Sequence, residues 1–438
     1  LTTARFGEPI GWRQAPLFYS RRRFGLSHVP MFLALVHAPS AAFQDVLDGL
    51  RVALDKEPPD PANFVFPALV PQAYRVLVEQ GRRGGPILAL ERIVQAQAKS
   101  IRVILVVGDE RPLAAYHFDL AGAYPRTEAQ DPEFFYRDIA LRIVTAASTT
   151  EVNQHQLVGN PIPRSLWQRL STPAAMRFAG QQLGQRNFFT EMIRIANLVN
   201  VPAVSDSVAD QYSEGCFATW DPTLDALVAT VTGSARPIDK DNITDDELAV
   251  IVGVRPDGQG AQVRHVEDKR NDNPSSESVE MIEMDQALPT ITLGPQWDTP
   301  GEVPVVRSKL HGHRGAAAYD PRYVEHVSLD PPFYHYLVSC ATEAQARGIK
   351  AAFSRSEALN NPDDPRQVVF TVLPGHGIVI AEKWVPGKVP FQVIWEYMDA
   401  GFLVVEDLIP QGPLQFVPTA SGRMVLQTPQ ATSSGAIM

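Results

Sequence analysis

The sequence predicts an α/β protein, with an N-terminal domain built on a parallel sheet covered by helices, followed by a mixed α+β, hairpin-rich C-terminal domain. Three observations carry this expectation. Apolar runs of strand length, Met31 to His37, Phe64 to Val70 and Ile101 to Val107, alternate with segments of helical periodicity, the pattern of strands buried on both faces by crossover helices. Beyond residue 236 the texture changes to β-type runs flanking Gly- and Pro-rich turns. Finally, 438 residues with 45% hydrophobic and 20% charged side chains suffice for two or three domains with cores of their own.

Taken in order, residues 1–30 read as an N-terminal arm. The α/β domain follows over 31–235. In it Ala41 to Leu54 places Phe43, Val46, Leu47, Leu50 and Leu54 on one helical face, Pro71 opens a second helix that stops at Gly81, and a third runs from Ile87 to Ala98. Residues 131–233 are read as a helical segment. Asp131-Pro132 begins a helix to about Ala147, residues 164–199 form two or three helices interrupted by Pro173 and Gly184, and Asp221-Pro222 repeats the cap signal before a helix through Val231.

The mixed domain, 236–427, contains two hairpins, Leu248 to Val254 with Ala261 to Val266, and Val368 to Leu373 with Ile378 to Trp384. Between the hairpins, Asp268 to Ser278 is polar and reads as an exposed loop. A helix starts at the capping box Thr342-Glu343-Ala344-Gln345 and runs to about Leu359, and another covers 391–400, closed by Gly401. A frayed tail, 428–438, ends the chain.

Charge narrows the function. Lys+Arg 39 against Asp+Glu 49 gives −10, which opposes general affinity for nucleic acid or for anionic membrane. Arg21-Arg22-Arg23, beside Phe18, Tyr19 and Phe24, reads as a solvated arm that bridges to acidic surface within the chain or a homo-oligomer. No run approaches the roughly 18 apolar residues of a membrane helix, and Leu1 to Trp12 lacks the apolar centre of a secretory signal. Two cysteines, Cys216 and Cys340, form no disulfide framework. The expected location is cytoplasmic.

The candidate chemistry centres on Arg307-Ser308-Lys309-Leu310-His311-Gly312-His313-Arg314-Gly315. On an extended segment His311 and His313 project from one face, as two imidazoles sharing a metal must, and Lys309 joins them. Arg307, Lys309 and Arg314 equally suit a phosphate or carboxylate, and a solvated basic loop is the plain alternative. His376 is displayed on the turn Pro374-Gly375-His376-Gly377, with Glu382 and Lys383 on the strand after it, as acid/base candidates. His335, between Tyr334 and Tyr336, is either a core residue or a further ligand in a tyrosine-walled pocket. Cys340, close to a helix N-terminus, is a candidate nucleophile or a buried small hydrophobe. Glu214, in Glu214-Gly215-Cys216, is a candidate metal carboxylate.

The chain has no GxxxxGK[ST], no GxGxxG after a strand and no GxSxG, which disfavours nucleotide binding by a standard loop. An HxH pair followed by a glycine-bounded His is similar to the metal residues of cupin barrels. The chain departs from that pattern where a Glu is expected about four residues past the second His, since Ala317 and Ala318 stand there. No family is assigned.

The resulting expectation is an enzyme that uses a divalent metal for isomerase, aldolase or lyase chemistry on a small phosphorylated or carboxylated molecule, with His311, His313, His335 and Glu214 as ligands. A non-catalytic assembly or ligand-binding protein and a metal-free enzyme using Cys340 are the contrasting readings.

Overall fold

The computed structural model describes residues 154–189, 215–232, 239–269, 273–330, 342–373, 376–406 and 414–427, together with the backbone pairing of five N-terminal strands. Those strands, β1 (Gly11–Gln14), β2 (Met31–His37), β3 (Arg102–Val107), β4 (Ala114–Asp119) and β5 (Gly122–Thr127), form one sheet in sequence order. Only β2 and β3 run parallel, so the expected parallel sheet is in fact mixed. The reason lies in the connections. The long stretch between β2 and β3 permits a crossover, whereas the short links from β3 to β4 and from β4 to β5 permit only antiparallel pairing. The strand expected at Phe64 to Val70, the helices expected in 41–98 and 131–147, the basic run at Arg21 and the tail from Thr428 lie outside the described residues.

From residue 154 the chain builds a mixed α/β unit around a nine-stranded sheet ordered β15-β16-β17-β13-β7-β8-β9-β10-β6. In chain order these are β6 (Gln156–Leu157), β7 (Cys216–Asp221), β8 (Ala226–Thr230), β9 (Leu248–Val254) and β10 (Ala261–Arg264), then β13 (Val306–Gly312), β15 (Val324–His326), β16 (Val368–Leu373) and β17 (Gly377–Lys383). The hairpin β11 (Thr290–Leu293) and β12 (Gly301–Pro304) stands apart. A four-stranded sheet is ordered β18 (Leu403–Glu406), β14 (Gly315–Tyr319), β20 (Met424–Leu426) and β19 (Phe416–Pro418). Strands from both sides of residue 235 share the large sheet.

Two sequence expectations change here. Residues 222–231 form the tight β7–β8 connection and a strand, not a helix. Asp221 Oδ1 accepts from the Thr223 and Leu224 N–H groups at 2.9 Å, and Asp225 adopts φ 48°. An Asp that accepts from the next two or three amides caps a helix or closes a turn with the same bonds, and here the fully buried Ala226–Thr230 run decides for the sheet. Residues 274–278 are not an exposed loop, since Ser275, Ser276, Glu277 and Ser278 are all buried.

Helices cover both faces. α1 (Arg164–Trp167) precedes α2 (Thr172–Gly184), in which Pro173 occupies the first turn and Gly184 the last position, so neither interrupts it. α3 (Ser278–Ala287) and α4 (Glu343–Phe353) pack together, the latter capped by Thr342 Oγ1 accepting from Gln345 N. α5 (Glu357–Asn360) and α6 (Gln392–Asp399) complete the set, and Gly401 at φ 70° ends α6 as expected.

Strand alternation assigns the two faces. Leu310 and Ile380 join a core that includes α2 and α6 as well as Val279, Met281 and Ile282 of α3, whereas Val379 and Ala381 join one made with Met284 of α3 and with α4 and α5. Lys309 and His311 pair with Ala381 and Val379, so both belong to the α3/α4 face. Among the described residues no helix is long and apolar enough to cross a membrane.

Candidate metal centre

His311 stands near the end of β13 and His313 is the first residue after it, the i, i+2 spacing that keeps two side chains near one face of an extended segment. β17 runs antiparallel beside it, with His311 opposite Val379 and Gly312 opposite Ile378. The turn that begins β17 therefore delivers His376 beside the pair. Ring centroids are 5.2 Å apart for His311 and His313, and 5.0 Å for His376 with each of them. One ring nitrogen from each lies within 4.8 Å of the others, all three residues are buried, and the group can hold a metal ion. Tetrahedral zinc with bonds near 2.0–2.1 Å spaces its donors by roughly 3.3 Å, inside the 4.8 Å limit within which these nitrogens lie.

Local sequence makes this convergence possible. A Cβ on Gly377 would lie 2.0 Å from the Gly312 carbonyl oxygen and 2.8 Å from His313 Cα, so only glycine lets β17 approach β13 at the histidines. Gly215 adopts φ 89°, and a Cβ there would stand 2.5 Å from the His311 carbonyl oxygen. These two glycines fit β17 and β7 against the strand that bears the HxH pair. His311 Nδ1 lies 3.2 Å from the Ile378 carbonyl oxygen. With Nδ1–H donating to that oxygen, Nε2 carries the lone pair.

Buried acids lie in electrostatic reach of Cys216, the residue opposite His311. Cys216 pairs in register with His311, and its thiol is pushed well above the usual range by burial and then by the carboxylates of Glu277 and Glu280, while Lys240 and Ser275 act the other way. Burial of this kind disfavours the thiolate that a nucleophilic cysteine needs. Glu277, just before α3, accepts a hydrogen bond from Ser275 Oγ, and Glu280 Oε1 accepts from Gln345 Nε2 at 2.5 Å. Reading 268–278 as a solvated loop concealed Glu277, and Glu280 follows two residues beyond that stretch, on α3. The signal for them was Pro274 and a run of serines before the apolar Val279, Met281, Ile282 and Met284, which is a helix start.

Other expected site residues are placed elsewhere. Lys309, on the histidine face, is fully buried and paired with Asp285 at 2.5 Å. Glu382 points to the opposite face, because it pairs with Ser308 rather than with Lys309 or His311. There its oxygens accept from Phe391 N at 2.8 Å, Val393 N at 2.9 Å, Ile394 N at 3.2 Å and Ser308 Oγ at 3.0 Å, fixing the start of α6. Lys383 stands at the far end of β17 from His376 and donates to the carbonyls of Ala358, Asn361 and Asp364. Neither group is available for the proton transfer expected of it.

Arg307 sits where the register of β13 against β17 shifts, a distortion that re-aims a side chain. Its guanidinium lies 4.9 Å from the Trp384 ring centroid and 5.7 Å from that of Trp297, and Nη1 donates to Lys388 O at 2.6 Å. It is about 13 Å along the strand from His311. Arg314 follows His313 and is half-buried. His335, Tyr334, Tyr336, Cys340 and Glu214 lie outside the described residues. No family model matches this chain, and no curated protein matches it.

Proposed function

We propose that His311, His313 and His376 hold one divalent metal, and that the chain is a metal-assisted enzyme of isomerase, aldolase or lyase type acting on a small anionic metabolite. The observation that carries this reading is the convergence of three buried imidazoles from two strands. Three neutral nitrogen donors leave a fourth position for water or substrate, the arrangement of catalytic rather than closed structural sites. A divalent ion held there would supply Lewis-acid polarisation of a substrate carbonyl.

The chain's own residues supply the rest. The Ile378 carbonyl orients the His311 ring. Glu277 and Glu280, buried and in electrostatic reach of Cys216 opposite His311, are on this reading the carboxylates that take up and return a proton. Lys240, in electrostatic reach of Cys216, and Arg314, next to His313, favour a phosphorylated or carboxylated substrate. The test is an assay of the full chain on phosphorylated and carboxylated hydroxycarbonyl compounds, with and without chelator. Turnover that chelator abolishes, that added metal restores and that His376→Ala removes is the expected result. Turnover indifferent to chelator contradicts the proposal.

A further inference from the structure

We infer that the buried Lys309–Asp285 pair is a positioning device for the histidine group, tying the acid-bearing helix α3 to the ligand-bearing strand β13. The inference rests on the metal reading above and adds a residue pair that touches neither metal nor substrate. Lys309 stands two residues before His311 on the same face of β13, and Asp285 lies near the C-terminal end of α3. The ion pair measures 2.5 Å, with side-chain exposures of 0% and 3%.

The pair is poorly satisfied. Asp285 Oδ2 is the acceptor for an ammonium with three hydrogens, and Asp285 Oδ1 has no hydrogen-bond partner. A buried pair with unused donors and a bare oxygen adds little stability over apolar side chains of similar volume. What it fixes is register. Helix α3, 10 residues and about 15 Å long, has Glu277 and Glu280 at its other end. Pinning Asp285 to Lys309 sets the rise and rotation of α3 against β13, and hence where those carboxylates stand relative to His311.

The experiment is calorimetric titration of the full chain with Zn2+ alone and with Mn2+ alone, on the unsubstituted protein, the double variant Lys309→Met/Asp285→Leu and the single variants Lys309→Met and Asp285→Asn, each with a melting curve. The expected result is a double variant that melts at the same temperature or higher, yet binds metal at least tenfold more weakly, with both single variants weakened as well. A field effect of the charges alone would tighten binding in Lys309→Met and weaken it in Asp285→Asn, and that opposite pattern overturns the inference. So does unchanged affinity in the double variant, and so does a double variant that fails to fold, since the pair would then serve stability. Absence of binding by the unsubstituted chain removes the metal reading itself, and the unsubstituted titration separates that failure from the others.

Discussion

His311 Nδ1 lies 3.2 Å from the carbonyl oxygen of Ile378, on the strand whose opening turn presents His376. One contact thus orients the first imidazole from the same strand that brings in the third. A ring held in this way keeps one tautomer and one direction, which lowers the reorganisation needed when an ion binds.

Gly377→Ala is expected to uncouple the two strands. The added methyl meets the backbone oxygen of Gly312, which cannot rotate away. We expect a loss of at least about 2 kcal/mol of stability, as for other substitutions that force backbone apart, together with weaker metal binding. Chemical denaturation and metal titration check both. An unchanged midpoint contradicts the close approach.

Glu382→Gln tests the assignment of that carboxylate to the start of α6. The amide retains one acceptor oxygen but turns an NH2 group toward backbone donors. We expect a cost of about 2 kcal/mol with metal affinity unchanged, measured by denaturation and titration. A loss of metal affinity without loss of stability would return Glu382 to the site.

Arg307→Lys tests the tryptophan contacts. A lysine lacks the broad delocalised cation that lies near both the Trp384 and Trp297 rings while donating to the Lys388 carbonyl. The expected loss is about 1 kcal/mol of stability, read from the denaturation midpoint, with no change in metal binding.

His326 provides a pH prediction away from the histidine group. It packs among Tyr319, Phe370 and Phe416, and burial pushes its pKa down to about 4 from the ordinary 6.5. The unfolded chain therefore takes up this proton first. The stability is fully present above pH 6.5 and falls as pH drops from 6.5 to 4, by no more than about 3 kcal/mol. His326→Phe is expected to flatten that part of the stability–pH curve, as measured by urea denaturation at several pH values. An identical slope in both proteins contradicts the assignment.

Much of the histidine group was legible locally. His311 and His313 share a face by strand alternation alone, and the glycine-flanked turn marked His376 as displayed. Their meeting was not legible, because it depends on β13 pairing with β17, and register between distant strands is written in packing. Polarity misled twice in the same direction. Ser275 to Ser278 read as solvated because composition does not reveal burial, and Lys309 read as a substrate group because its partner, Asp285, lies on a separate helix. Glu382 was misjudged for want of register, since a one-residue difference from Ala381 sends it to the other face. Asp221-Pro222 announced a bonded turn correctly but not which element would follow it.

The central claim is that three imidazoles bind one ion. Elemental analysis of the full chain, purified without chelator and compared with a His311→Ala/His313→Ala/His376→Ala variant of matched melting behaviour, tests it most directly. The account predicts about one equivalent of a divalent transition metal per chain in the first protein and none in the second. Equal metal content in the two proteins, or none in either after incubation with Zn2+ or Mn2+, would contradict it.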